Sequence, residues 1–305
     1  MTTILVGVDD SSRSLDAIAF AHRVASGSNA SVLVANSFPY EDYRSGMTSL
    51  GDRKILQTEA EDLVSRLSAE LDDLGEERVH TAVVARHSPA HGLHDLAPEV
   101  QADLVVVGSS HIGTVGRVLP GSTGERMLHG AACPVAIVPR DYRSHAHSFN
   151  VIGVAYDGSP ESTVAVRAAT EVARRTGSEL RVIRVMDTTP YGTPARIGAP
   201  SYVFRDGIEL PLGQDLDQAV AALPAEASAT AVFLMGDPAD ELAAQTSTLD
   251  VLITGSRGYG PLRAVMTGSV TGRVLRHAAC PVVVLPRGVE SNLGELFGHS
   301  VTAPA

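Results

Sequence analysis

Short runs of β-branched and other apolar residues alternate with longer segments of helical periodicity along the chain. This alternation predicts an α/β architecture in which crossover helices join parallel strands and cover both faces of the sheet. Ser14–Ser26 and Ser162–Thr176 carry apolar residues at helical spacing, and the glycine after each one favours a left-handed helix cap. The runs predicted as strands are Ile4–Val8, Val32–Ala35, Thr81–Ala85, Leu104–Val107, Val135–Val138, Val151–Ala155, Leu180–Val185, Thr230–Leu234, Val251–Thr254 and Val282–Leu285.

The chain consists of two copies of one pattern. Asp9 aligns with Asp157 at an offset of 148 residues, and the segment that begins at Gly108 aligns with the one that begins at Gly255 at an offset of 147. An offset so nearly constant indicates tandem duplication of a whole domain rather than a short solenoid repeat. We therefore predict two tandem doubly wound domains, each a five-stranded parallel sheet with helices on both faces.

The predicted domains are residues 1–139 and 150–287. Residues 140–149 lack either periodicity and are predicted to form a linker, and residues 288–305 are predicted to form a flexible C-terminal tail. The last apolar strand of each copy is a candidate sheet edge. We therefore expect these two strands to approach each other across an internal pseudo-twofold axis, as an intrachain pseudo-dimer, and leave homodimerisation of the whole chain open.

Composition excludes several classes of function. The chain has 24 basic and 35 acidic residues and a formal net charge of −11, so we expect no nucleic-acid partner. Lys54 is the only lysine, which excludes a P-loop lysine. The absence of an apolar run of about 18 residues and of a signal-peptide pattern predicts a cytoplasmic protein with no membrane partner. Cys133 and Cys280 are expected to be reduced, buried thiols.

The most informative chemical pattern follows the fourth strand of the second copy. Gly255 is followed by Gly258 and, after nine intervening residues, by Gly268-Ser269 at the head of a predicted helix. Glycines let backbone amides approach an anion, and the free amides of a first helical turn add donors aligned with the helix dipole. Asp157 lies at the same predicted sheet edge, where a carboxylate accepts hydrogen bonds from ribose or adenine. The pattern indicates a nucleotide site.

The combination of Asp157-Gly-Ser159 after the first strand with G-x-x-G, nine residues and G-[ST] resembles the universal stress protein family. The resemblance covers Thr2–Pro139 and Val151–Pro286. It implies a flavodoxin-like or adenine-nucleotide α-hydrolase-like fold, ATP binding in some members and a role in stress survival. Carried over position by position, the resemblance implies a nucleotide site in the second domain formed by Asp157, Val185, Gly255, Gly258, Gly268, Ser269 and Val270.

The first domain departs from this family pattern. His111 stands where the second motif glycine is expected, and Asp10 replaces the glycine that follows the first aspartate. A side chain at position 111 would intrude on the phosphate path unless it turned away, although an imidazole could instead donate to phosphate. Because only glycine reaches positive φ freely, the second domain is the favoured site. The corresponding residues of the first domain are Asp9, Ala35, Gly108, Gly121 and Ser122.

We therefore expect an ATP-binding regulator, with Mg²⁺ bridging phosphate oxygens and with little or slow hydrolysis. Two alternatives stay open: an ATP-consuming hydrolase or transferase of the same fold, and a nucleotide-free scaffold whose glycine loops are only tight turns. The chain lacks the dinucleotide-binding fingerprint, because no G-x-G-x-x-G follows the first strand of either copy. His87, His91 and His94 have metal-ligand spacing on a helix but lack histidine counterparts in the second copy, which favours a structural role.

Overall fold

Ten strands form one continuous sheet in the part of the chain that the computed structural model describes, namely residues 2–40, 50–109, 123–144, 148–188, 201–256, 270–289 and 292–298. The strands are β1 (Thr3–Gly7), β2 (Ser31–Pro39), β3 (Val79–Arg86), β4 (Leu104–Gly108), β5 (Val135–Val138), β6 (Val151–Ala155), β7 (Glu179–Asp187), β8 (Ala229–Gly236), β9 (Val251–Gly255) and β10 (Val282–Leu285). Their order is β3-β2-β1-β4-β5-β10-β9-β6-β7-β8.

Helices connect the strands and cover the sheet. They are α1 (Ser12–Ser26), α2 (Leu50–Ser68), α3 (Pro89–Glu99), α4 (Thr123–Met127), α5 (Pro160–Thr176), α6 (Ser201–Ala221), α7 (Pro238–Gln245), α8 (Val270–His277) and α9 (Leu293–Leu296). Short 3₁₀ helices occur at Ala69–Leu74, Tyr142–Ser144 and Thr246–Thr248. In the described ranges, no helix combines the length and the apolar character that crossing a membrane requires.

The predicted α/β class and the doubly wound topology are confirmed. Each copy has the same strand order, and neighbouring strands within a copy are parallel. β5 and β10 pair antiparallel, with Ala136 opposite Val283, so the expected approach of the two last strands is also confirmed. The two copies thereby share one sheet.

Side chains of successive strand residues alternate between two apolar layers, one on each face of this sheet. In β10, Val283 belongs to the layer that contains residues of α1 and α5, whereas Val282 and Val284 belong to the layer that contains residues of α3, α7 and α8. Residues of both copies contribute to each layer. Burial on both faces explains why the strands are nearly uninterrupted apolar runs in the sequence.

The segment after β5 packs on α1. The buried carboxylate of Asp16 accepts hydrogen bonds from the backbone N–H of Asp141 (3.1 Å) and of Arg143 (3.1 Å). Because a buried carboxylate needs such donors, this pair of bonds fixes the start of the predicted linker against the helix. The equivalent residue of the second copy, Val164, is 39% exposed on α5.

The predicted flexible tail over residues 288–305 is wrong for residues 292–298. Leu293, Leu296 and Phe297 are almost completely buried, and α9 packs on α5 of the second copy. The burial of three closely spaced apolar side chains is enough to order a short segment. The mostly small and polar composition of residues 288–305 does not indicate this burial. Residues 299–305 lie outside the described part of the chain.

Four aromatic rings meet where this C-terminal segment reaches α1. The ring centroid of Phe20 lies 5.8 Å from that of Tyr142, 6.3 Å from that of Phe149 and 6.3 Å from that of Phe297. Phe149 and Phe297 are 4.9 Å apart. We call Phe20, Tyr142, Phe149 and Phe297 the aromatic cluster. It joins α1 of the first copy to the segments that follow β5 and β10.

The two first crossover helices end in different ways. Gly177 after α5 has a φ of 70° and is left-handed, as expected. Gly27 after α1 has a φ of −85°, so the left-handed cap is wrong there. The physical reason is Arg78, whose guanidinium donates to the carbonyls of Ala25 (2.7 Å) and Ser28 (2.8 Å) and so satisfies the end of α1 with a side chain.

This difference gives a matched pair of substitutions. Gly177→Ala is expected to lower the free energy of unfolding by about 1–2 kcal/mol, because a left-handed backbone is unfavourable for an L-residue. No atom lies within 4 Å of the added Cβ, so the cost reports the backbone conformation alone. Gly27→Ala is expected to change it by less than about 0.5 kcal/mol, because its Cβ meets Gly298 only at 3.6 Å. Urea unfolding measures both, and equal costs would contradict the assigned backbone conformations.

Candidate functional site

The candidate site lies at the carboxyl edge of the second copy, where the strand order reverses. β6 pairs with β7 on one side and with β9 on the other. Asp157 follows β6, Val185 lies near the end of β7, and Gly255 ends β9. The fold therefore brings these three predicted residues to adjacent strand ends, which is where ligands bind in open parallel sheets. Val270 is the first residue of α8 and is partly exposed.

Asp157 is held at this edge by the turn that leads into α5. Its Oδ1 accepts a hydrogen bond from the backbone N–H of Ser159 (2.9 Å), and Gly158 has a φ of 81°. Ser159 then caps α5 by accepting from the backbone N–H of Ser162 (3.2 Å). This turn requires the left-handed conformation that glycine adopts freely, and it keeps the carboxylate exposed above the strand ends.

The first glycine of each candidate loop lies against the first turn of a helix. A Cβ on Gly255 would lie 2.5 Å from the backbone oxygen of Glu161 in α5, and a Cβ on Gly108 would lie 2.6 Å from that of Arg13 in α1. Any larger residue would push the strand end away from the helix. This close approach accounts for glycine at both positions independently of a ligand.

Ser256 directly follows Gly255 and was not identified from the sequence. The residue is 2% exposed, and its Oγ has no hydrogen-bond partner among the described residues, whereas its backbone N–H donates to the carbonyl of Leu285 (2.9 Å). A buried hydroxyl without a partner costs about 1–3 kcal/mol, so it marks a place where a ligand acceptor would be stabilised. Burial is not visible in a Gly-Ser dipeptide, and no sequence signal distinguished this serine.

Several predicted residues cannot be placed. Gly258, Gly268 and Ser269 of the second domain lie outside the described residues, as do His111, Gly121 and Ser122 of the first. The two glycine loops therefore stay predictions from the sequence.

In the first copy, Asp9 occupies the position of Asp157 and contacts α1 and the turn that precedes it. Its Oδ1 accepts hydrogen bonds from the backbone N–H of Ser11 (3.1 Å) and from the hydroxyl of Ser14 (3.0 Å). Arg13 forms an ion pair with its Oδ2 at 3.6 Å. A nucleoside that uses Asp9 must compete with these groups.

The equivalence of Ala35 with Val185 is wrong by two residues. β1 pairs Gly7 with Ala35, and β6 pairs Ala155 with Ile183, so Ala35 corresponds to Ile183 and is fully buried in the sheet. The residue that corresponds to Val185 is Ser37 at the same offset of 148 residues. The second strands carry no motif that fixes their alignment, so only the strand register identifies the correct pair.

A buried arginine supports the edge in the second copy. Arg184 of β7 forms an ion pair with Asp215 of α6, and its guanidinium lies 5.3 Å from the ring centroid of Tyr156. Burial and the nearby Asp215 carboxylate raise the pKa of Tyr156. In the first copy the ion pair has its arginine on the helix rather than its aspartate. Arg66 of α2 pairs with Asp10 of the turn after β1 at 2.7 Å.

The described histidines and cysteines form no alternative site. His91 Nδ1 lies 2.7 Å from the hydroxyl of Ser88, and His94 Nε2 lies 2.7 Å from the carbonyl of Gly130. Over the described ranges, no group of three or more His, Cys, Asp or Glu residues is arranged to hold a metal ion. Burial raises the pKa of Cys133 to about 12, and it raises that of Cys280 as well, so both thiols are protonated near neutrality.

Comparison with known proteins identifies the relatives of this chain. The model of the universal stress protein family matches residues 1–139 and 148–286. A universal stress protein of Mycolicibacterium smegmatis is 29% identical over 308 residues, which cover 92% of this chain and 96% of that protein. Universal stress protein Rv2319c of Mycobacterium tuberculosis is 29% identical over 231 residues, 75% of this chain and 77% of that protein.

The architecture also matches a solved structure. The crystal structure of a universal stress protein from Archaeoglobus fulgidus DSM 4304 covers 94% of this chain and 96% of its own chain, with a TM-score of 0.64 and 20% sequence identity. At this identity, the match supports the fold of the whole chain.

Proposed function

The chain belongs to the universal stress protein family, and on that premise we propose that it binds an adenine nucleotide, ATP, at the carboxyl strand edge of its second domain. The observation that carries the proposal is the meeting of Asp157, Val185 and Gly255 at three adjacent strand ends. The Asp157 carboxylate would accept hydrogen bonds from the nucleoside, and Val185 would lie beside the adenine. The family motif assigns the phosphates to the loop that begins after Gly255.

The buried hydroxyl of Ser256 supports the phosphate end of this proposal. It lies immediately after Gly255, has no hydrogen-bond partner within the described ranges and is able to donate to a phosphate oxygen. Mg²⁺ would be held chiefly by the phosphates, because the described residues contain no cluster of three protein ligands for a metal. When bound, the ion neutralises part of the phosphate charge.

We propose binding with little or slow hydrolysis. Glu161 and Asp215 beside the site each form an ion pair with an arginine, and the Asp157 carboxylate accepts a hydrogen bond from the backbone N–H of Ser159. A carboxylate held in this way is poorly placed to act as a general base towards water. Binding energy would instead favour one arrangement of the loops and present an altered surface to a protein partner in a stress response.

Calorimetric titration of nucleotide-stripped protein with ATP and Mg²⁺ tests the proposal. Asp157→Ala is expected to weaken binding about 10-fold to 100-fold, the range of one or two hydrogen bonds to a charged group. Asp9→Ala is the matched control in the first domain and is expected to leave the second-domain affinity unchanged. Replacement of Gly258 and Gly268 by bulkier residues is expected to remove the site while the chain stays folded.

Each alternative function has its own outcome in this experiment. A wild-type protein that binds no nucleotide would support the scaffold hypothesis. Rapid steady-state release of phosphate with a defined second substrate would support the hydrolase or transferase hypothesis. Loss of binding in Asp9→Ala but not in Asp157→Ala would assign the site to the first domain.

A further inference from the structure

Two equivalent positions beside the candidate loops carry opposite charges. Arg13 is the second residue of α1, and Glu161 is the second residue of α5. Each one has its backbone oxygen within 2.6 Å of the Cβ position of the first loop glycine, Gly108 or Gly255. The two side chains therefore start from the same place in each copy, and the structure confirms the alignment between them.

Arg13 directs its charge towards the carboxyl strand edge of the first copy. A guanidinium nitrogen lies 3.6 Å from Oδ2 of Asp9, and its Nε donates to the hydroxyl of Ser11 (3.1 Å). Both partners belong to the turn between β1 and α1, and Asp9 is the candidate nucleoside residue. A cation therefore lies beside the first-domain site.

Glu161 places an anion at the corresponding point of the second copy. Its Oε1 lies 3.0 Å from the Nε of Arg287, which follows β10. The Glu161 side chain is 15% exposed, whereas that of Arg287 is 72% exposed. Water and salt screen an exposed arginine strongly, so this pair leaves part of the Glu161 charge acting on the site.

We infer that Arg13 and Glu161 are specificity-determining residues that set how much phosphate charge each site accepts. This inference rests on the proposed function and deepens it. In the absence of divalent cations, Glu161 disfavours the triphosphate relative to the monophosphate in the second domain, whereas Arg13 favours the triphosphate in the first. At an effective dielectric constant of about 20, one unit charge about 10 Å from another changes an affinity by about tenfold.

The test is the ratio of ATP affinity to AMP affinity, measured by calorimetry in EDTA. Glu161→Gln, which removes one unit of negative charge, is expected to raise this ratio about tenfold, and Glu161→Arg, which changes the charge by two units, is expected to raise it further, up to about 100-fold. A ratio that rises in the order Glu161, Gln and Arg reports the charge at this position. Damage to the fold would instead weaken the binding of ATP and AMP together and leave their ratio unchanged. The differences are expected to shrink at high ionic strength.

Arg13→Gln provides the matched control and is expected to leave the second-domain ratio unchanged. An ATP to AMP ratio that is the same for the wild type, Glu161→Gln and Glu161→Arg would overturn this inference while the proposed function stands. Absence of AMP and ATP binding to the wild type, with and without Mg²⁺, would overturn the proposed function and the inference together. A ratio that responds to Arg13→Gln alone would overturn the role of Glu161.

Discussion

Replacing Val283 with aspartate is expected to lower the free energy of unfolding by at least about 4 kcal/mol, enough to prevent stable folding of a marginally stable chain. Val283 is fully buried and lies in β10 opposite Ala136 of β5, at the centre of the shared sheet. An aspartate there would be a buried charge without a partner. Urea unfolding followed by circular dichroism measures the loss of stability. If the variant does not fold, its unfolding curve has no folded baseline.

The chain contains a control for the same chemical change. Val164 is 39% exposed on α5, at the position where the first copy has Asp16. Val164→Asp is expected to alter stability by less than about 0.5 kcal/mol. If Val283→Asp were as stable as Val164→Asp, β5 and β10 would not be packed as described.

Phe20→Ala is expected to lower the free energy of unfolding by about 3–5 kcal/mol. Phe20 is fully buried and is the member of the aromatic cluster that contacts the other three rings. Removing it leaves a cavity between α1 and the segments that follow β5 and β10. Phe20→Leu keeps much of the volume and is expected to cost less than about 1.5 kcal/mol.

A double-mutant cycle isolates the contact with the C-terminal segment. Phe20→Ala and Phe297→Ala together are expected to cost less than the sum of the single changes, with a coupling of about 0.5–1.5 kcal/mol for the edge-on pair of rings. Additive costs would show that the Phe20 and Phe297 rings do not stabilise each other directly. Urea unfolding of the four proteins provides all the terms of the cycle.

The strands were predictable because their apolar runs are buried on both faces. The structure reproduces Val135–Val138, Val151–Ala155 and Val282–Leu285 without change. β2 extends beyond its apolar run through Asn36, a polar residue that the pattern excludes from a buried strand. Asn36 is tolerated because its Nδ2 donates to the carbonyl of Val8 (2.7 Å), the residue that follows the neighbouring strand β1.

The surroundings of the candidate site were less predictable because they depend on contacts between distant residues. The ion pair of Arg184 with Asp215 joins residues 31 apart, and neither position belongs to a motif. The buried hydroxyl of Ser256 and the two-residue shift of Ala35 depend on burial and strand register. Periodicity and motif spacing contain information about neighbours along the chain, whereas these features arise from tertiary packing.

The antiparallel pairing of β5 with β10 also bears on how the two copies can evolve. In a homodimer of single domains, every substitution appears in both subunits, so a change that helps one site is imposed on the other. A covalent tandem keeps the two copies at a fixed one-to-one stoichiometry and at an effective concentration of about millimolar or more at any dilution. Differences such as Asp16 against Val164 and Asp10 against Gly158 can therefore accumulate independently, while the association of the copies is inherited as a single unit.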